Sequence, residues 1–449
     1  MRGRQPSIVV ILNFPALSAS LDAVQTNVTS GSVPLASVSR KIALLFWILA
    51  IAAIPIWSRT DPPGYDVVFY HNAIRALHIG DDPYLDATAI QDAFHREYGL
   101  HSNGYPPCSY VYSPITLPLL RLIGDLPVWL AGTLYWLLLI ASALSLLWVG
   151  TLAGLPWERI FLRLFLPLAL FVPGLLAHDT ILSGNVAFIL YGLVLVTAAY
   201  GWKRNRWLWC YLAIIVASCF KAPLLCLVAI PLFSARRQWI AAAITTGTGV
   251  LLFAMQPLLW PALFRHFLRA VQLQFTYNHD FGSSPAGVFS NILVHKGLPY
   301  SVPGMVFYVI YAVLIFATLL YLSRLFLDGL ISLQQWLPVL LVGAILLNPR
   351  IMEYDLAPLA VPMALIGWRV FGRMRSRPRG ALLYLVLFLT ANVLAVHFEP
   401  AWKPIECILL IATFTSGCWD LVLRAAANRQ HQTSAAVASN APSLVPSHS

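Results

Sequence analysis

The chain has 449 residues, of which 59% are hydrophobic and 10% charged, with a formal net charge of +11. Soluble domains carry about a quarter charged residues, so this composition excludes an ordinary soluble fold and points to an all-α polytopic membrane protein. A basic balance would suggest nucleic acid in a soluble chain. Here Lys and Arg gather in short segments between apolar runs, where they act as topology signals, and no nucleic-acid partner is expected.

Residues 1–40 are rich in Ser, Val and Ala without a helical period and read as a disordered extension. Its stretch VVILNFPALSASLDA resembles a weak signal-peptide core, and its sequon Asn27-Val28-Thr29 carries no weight. A single transmembrane domain is expected over 41–424, with about twelve spans near 42–57, 127–150, 160–177, 183–201, 207–219, 221–235, 239–260, 303–323, 332–347, 355–371, 380–397 and 403–424. The segments 207–219 and 221–235 are shorter than a straight span needs. They read as one kinked helix, a re-entrant pair or two short helices. Residues 425–449 are polar and read as a disordered cytoplasmic tail.

Charge orients this pattern. Arg40-Lys41, Glu158-Arg159 with Arg163, the run 203–206, Arg236-Arg237, Arg324, the run 373–379, and Arg424 with Arg429 all fall on one face when twelve spans are drawn, together with both termini. The positive-inside rule makes that face cytoplasmic and the chain a multi-pass protein of the cell membrane. Merging 207–235 into one span would reverse half of these clusters, so two pieces are favoured, with Lys221 at their outer tip. The opposite face then receives the long loops 58–126 and 261–301, and the short ones 178–185, 348–355 and 397–404. Within the first loop, short surface helices are expected at 66–79, 86–98 and 113–123. In the second, 263–275 is amphipathic, with Arg265, His266 and Arg269 on one side and Phe264, Phe267 and Leu268 near the other.

Chemistry-bearing residues concentrate on that outer face. Asp66 follows the first span by about eight residues. A carboxylate at that depth is partly desolvated and placed to act as a base, and an Asp there also suits a helix cap. Tyr70, His71 and Asn72 follow within two turns, whereas Gly80-Asp81-Asp82-Pro83-Tyr84 has turn chemistry. The loop 103–114 carries Tyr105 among prolines and further tyrosines, a surface suited to sugar rings. Asn185, after Gly184, serves either as a cap or as a ligand contact. Lys221 interrupts an apolar run, a costly place unless it snorkels or meets an anion such as phosphate. Arg350 offers a bidentate donor to phosphate, with Glu353 and Asp355 near enough in sequence to pair with it instead. His279 and Asp280 are adjacent on a loop and make a poor metal pair, and the six cysteines have no metal-ligand spacing.

Several of these pieces occur in an order that resembles glycosyltransferase family 87 of the GT-C superfamily. They are Asp66, the Gly80-to-Tyr84 ending, Tyr105-Pro106-Pro107 with Pro114, Gly184-Asn185, Lys221-Ala222-Pro223, and Pro349-Arg350 with Tyr354-Asp355. The resemblance covers about 64–356 and implies a GT-C-type fold. It implies transfer of a sugar, typically mannose, from a polyprenyl-phosphate donor to a lipid or glycan hydroxyl outside the cytoplasm. No cofactor is expected from the residues, and dependence on a divalent metal is left open. An acid in the first outer loop serves as base, the place of Asp66. On this reading Lys221 and Arg350 take the donor phosphate, and Tyr70, His71, Asn72, Tyr105, Asn185, His279, Tyr354 and Asp355 contact substrate. The late loop NPRIMEYD departs from the family's α-1,2-mannosyl and arabinosyl members and leaves sugar and acceptor open. A flippase for polyprenyl-linked sugars and a polysaccharide polymerase or ligase are the competing classes.

Overall fold

A computed structural model of the chain describes residues 65–84, 110–155, 184–278, 281–371 and 399–439 continuously, with isolated residues within 41–52, 158–180 and 383–390. The extension 1–40, the helix expected at 86–98, and most of the spans expected at 42–57, 160–177 and 380–397 lie outside the described residues.

Among the described residues every regular element is helical. Backbone polar groups have no water partners inside a bilayer, and a helix satisfies them within itself. Among the described residues five helices are long and apolar enough to cross a membrane. They lie in α3 (Val128–Ala153), α4 (Val186–Arg204), α7 (Trp239–Leu259), α10 (Ser301–Leu327) and α14 (Glu399–Ser439). Apolar side chains face outward along them: Ile240, Ile244 and Leu258 on α7 and Val302, Val309 and Val313 on α10 are exposed, as a lipid-facing surface requires.

The remaining helices are shorter. α1 (Tyr65–Ile79) and α2 (Leu117–Gly124, after a 3₁₀ turn at Pro114–Thr116) match the surface helices expected in the first long loop. α8 (Pro261–Asn278) is the expected amphipathic segment. It buries Phe264, Phe267 and Ala270, while Leu268, expected on that face, is exposed. α9 (Pro285–His295) is capped by Ser284, whose hydroxyl accepts from Gly287 N–H at 3.0 Å.

At the centre stands α11 (Leu333–Leu346). Every residue from Trp336 to Leu346 is buried, so its partners are other helices all round. A reciprocal capping box of Ser332 and Gln335 starts it. The expected span 355–371 is broken into α12 (Glu353–Leu356), a 3₁₀ turn (Ala357–Leu359) and α13 (Ala360–Phe371), with prolines at 358 and 362. The tail expected to be disordered from 425 is helical as far as Ser439, because α14 continues past its apolar part.

The region 207–235 forms two antiparallel pieces, α5 (Leu208–Phe220) and a 3₁₀ stretch (Ala222–Val228) leading into α6 (Ala229–Ser234). At one end Trp202 donates its indole N–H to Ser234 at 2.9 Å, and Tyr211 reaches the Gln238 carbonyl at 3.4 Å. At the other end Lys221 lies beside Asn185, which starts α4. The chain therefore reverses at Lys221. Close packing between α3 and α4 uses Gly192, where an added Cβ would stand 2.3 Å from the Ser142 hydroxyl oxygen.

The bundle has two polar ends. One holds Asn185, Lys221, the 348–355 loop and Ser283. The other holds Glu158, Ser234, Arg236, Arg369 and Asn428. Glu158, grouped by sequence with Arg159 and Arg163 in a loop cluster, is fully buried. It takes two bonds from Arg369, from Nε and Nη2, both at 2.8 Å, and a third from Leu155 N–H at 2.7 Å. Arg369 also donates to the carbonyls of Gln334 and Ala153, joining α3, α11 and α13. Removing one member of such a pair leaves a desolvated charge, so Arg369→Leu is expected to cost about 3–5 kcal/mol. Joint replacement of Glu158 and Arg369 by Leu should recover much of that loss. Unfolding of the purified variants in a single detergent checks both.

Candidate functional site

The site is built outward from Lys221. It ends α5 in an extended conformation, φ −135 and ψ 98, and its amide still donates to Ala217 O at 3.0 Å. Its half-buried side chain lies among aromatic and amide groups. The ammonium sits 3.5 Å from the Tyr354 ring centroid, 5.9 Å from that of Tyr112, and 3.4 Å from Asn185 Oδ1. Ring faces and an amide oxygen each offer negative potential to a cation withdrawn from water. Asn185 has two jobs, because the same oxygen accepts from Ala187 N–H at 2.9 Å and caps α4.

Tyr112 links Lys221 to the first long loop. Its hydroxyl lies 2.9 Å from that of Tyr70, which in turn accepts from Val186 N–H at 3.2 Å. Its carbonyl accepts the Tyr84 hydroxyl at 2.7 Å. The corner that follows is fastened to the hairpin and to α7: Ser113 donates to Cys219 O at 2.8 Å, and the amide of Ile115 donates to buried Gln256 Oε1 at 3.2 Å. Tyr84, Tyr110, Phe264 and Phe267 form a second, smaller core beneath this corner with Ala73 of α1. Burial pushes the Tyr84 and Tyr110 phenols well above their ordinary range, so both stay neutral. Asp82, expected to be a turn residue, accepts from Tyr84 N–H at 2.8 Å, and its second oxygen pairs with His266 of α8.

The 348–355 loop closes the site. Arg350 N–H donates to Asn348 Oδ1 at 3.0 Å, and its guanidinium lies over Phe275, 5.2 Å from the ring centroid. Asp355 is buried and accepts from Met352 N–H at 2.8 Å.

Tyr70, Asn185, Lys221, Arg350, Tyr354 and Asp355 therefore share one end of the bundle. Asp66 is the second residue of α1, four before Tyr70, so the two positions lie on one stripe of that helix. His71 and Asn72 are exposed on another side of α1, away from Tyr70's contacts. Tyr105 and His279 lie outside the described residues. Among the described residues no group of three His, Cys, Asp or Glu could hold a metal ion.

Sequence reasoning missed Tyr112, Gln256, the Asp82–His266 pair, and Ser283, which donates to Glu406. Gln256 left a signal, a lone polar residue within an apolar run, and Glu406 a weaker one, an acid at the start of such a run. The Asp82–His266 pair left none, since its members are 184 positions apart. The arrangement presents two cations, phenol hydroxyls and an amide at one end of the bundle, a set able to hold an anionic group beside a polyol. No family model, curated protein or solved structure matches the chain.

Asn185→Ala removes the cap and is expected to cost about 1 kcal/mol, while Asn185→Asp should keep the capping bond and most of the stability. Thermal unfolding of the two variants beside the parent distinguishes these outcomes.

Proposed function

We propose that this protein is a membrane glycosyltransferase that moves a sugar, mannose as first choice, from a polyprenyl-phosphate donor to the hydroxyl of a lipid or glycan acceptor. One observation carries the reading: Lys221, over the Tyr354 ring and beside Asn185, shares one bundle end with Tyr70 and with Arg350 of the 348–355 loop. Two cations beside hydroxyls and aromatic rings suit a phosphate joined to a sugar. The apolar exterior supports a donor and acceptor presented from a bilayer. Placement of this end outside the cytoplasm, in a cell membrane, and the GT-C-type fold with about twelve spans belong to the same proposal.

In the reaction, Asp66 takes the proton of the acceptor hydroxyl as that oxygen forms a bond to the anomeric carbon. The bond from that carbon to the phosphate oxygen breaks, and its electron pair leaves with the polyprenyl phosphate. The configuration at carbon inverts. A phosphate leaving group needs no acid to protonate it, so one carboxylate suffices, unlike the pair used in glycoside hydrolysis. Lys221 and Arg350 stabilise the charge that grows on the phosphate.

Membranes carrying the protein, given labelled polyprenyl-phosphate mannose, should label a lipid or glycan product. Asp66→Asn is expected to lower the rate about 100-fold or more, the usual weight of a general base. Lys221→Met and Arg350→Ala should each raise the donor KM. Full activity of Asp66→Asn overturns the assignment of the base, and absence of transfer by the parent protein overturns the reaction with this donor.

A further inference from the structure

Glu406 lies early in α14, inside the apolar stretch Lys403–Ser434, and is 5% exposed. An acid at membrane depth is costly and persists where it serves a tie or a site. It accepts the hydroxyl of Ser283, itself fully buried. The turn that contains Ser283 grips the Arg350 loop at consecutive points. The Ser283 amide donates to the Ile351 carbonyl at 2.6 Å, and the Ser284 hydroxyl donates to the Pro349 carbonyl. Gly282, at φ +75, approaches so closely that a Cβ would stand 2.3 Å from the Ile351 oxygen.

Arg350 thus sits between two gripped carbonyls. Its guanidinium is held by the same turn, since the Phe275 ring beneath it packs on Phe281, with centroids 5.8 Å apart. Tyr311 adds a bond to the Asn348 carbonyl at 3.3 Å from α10.

We propose that Glu406 is a positioning residue: through Ser283 it fixes the 281–284 turn, and through that turn it aims the Arg350 guanidinium at the donor phosphate. The second half of the proposal rests on the reading of Arg350 as a phosphate contact. The first half concerns the loop alone. Gln at 406 keeps an oxygen to accept the serine hydroxyl, whereas Leu has none.

Hydrogen exchange in the purified protein tests the loop without any donor. Glu406→Leu should speed exchange of the Ser283 and Arg350 amides by about tenfold or more, as local opening becomes easier. Glu406→Gln should stay close to the parent, and α13 around Arg369 should not change in either. Ser283→Ala carries the same expectation as Glu406→Leu should the latter fail to fold. With polyprenyl-phosphate mannose as donor, Glu406→Leu should raise KM, and should raise it no further in an Arg350→Ala background, because residues acting through one another are not additive. Unchanged exchange at Ser283 and Arg350 overturns the proposal, and so does faster exchange with an unaltered donor KM. A parent protein that uses no polyprenyl-phosphate sugar counts against the glycosyltransferase reading instead, and the exchange comparison alone then decides whether Glu406 positions the loop.

Discussion

An ammonium group held at a chain reversal between apolar segments needs partners supplied from elsewhere in the fold, because little water is at hand. Around Lys221 those partners come from three directions. Asn185 arrives at the start of α4, Tyr354 in the short helix α12, and Tyr112 at the end of the first long loop. Each is fixed in turn by further hydrogen bonds: the cap of α4, the Met352–Asp355 turn, and the hydroxyls of Tyr70 and Tyr84. Satisfying one cation thus brings together segments that are far apart in sequence.

Much of this is legible in the amino-acid sequence. The apolar runs that became α3, α4, α7, α10 and α14 announce themselves by composition, and Lys221 does so by its cost. The reversal at Lys221 followed from charge bookkeeping, since a single span would have put several basic clusters on the wrong side. Asn185, Arg350 and Asp355 were visible as polar residues at the ends of apolar runs.

What stayed hidden depends on partners that lie far away in sequence. Glu158 looked like one more loop charge beside Arg159, because nothing local reveals that Arg369 will reach it. The helix face that buries Ala73 and exposes His71 and Asn72 is set by α2 and α8, which pack on one side only. The continuation of α14 to Ser439 was hidden for another reason: a polar composition lacks the periodicity that marks a packed face, yet it is compatible with a helix that has already been nucleated.

The pairing of Glu158 with Arg369 spans 211 residues, and that separation has a consequence for biogenesis. A chain made from its N-terminus completes α3 and Glu158 long before it reaches α13. Until then the carboxylate waits without its guanidinium, in a place that will become the inside of the bundle. Final closure of this end must therefore follow synthesis of nearly the whole transmembrane region. Fragments that stop short of residue 369 carry that acid without the guanidinium it pairs with.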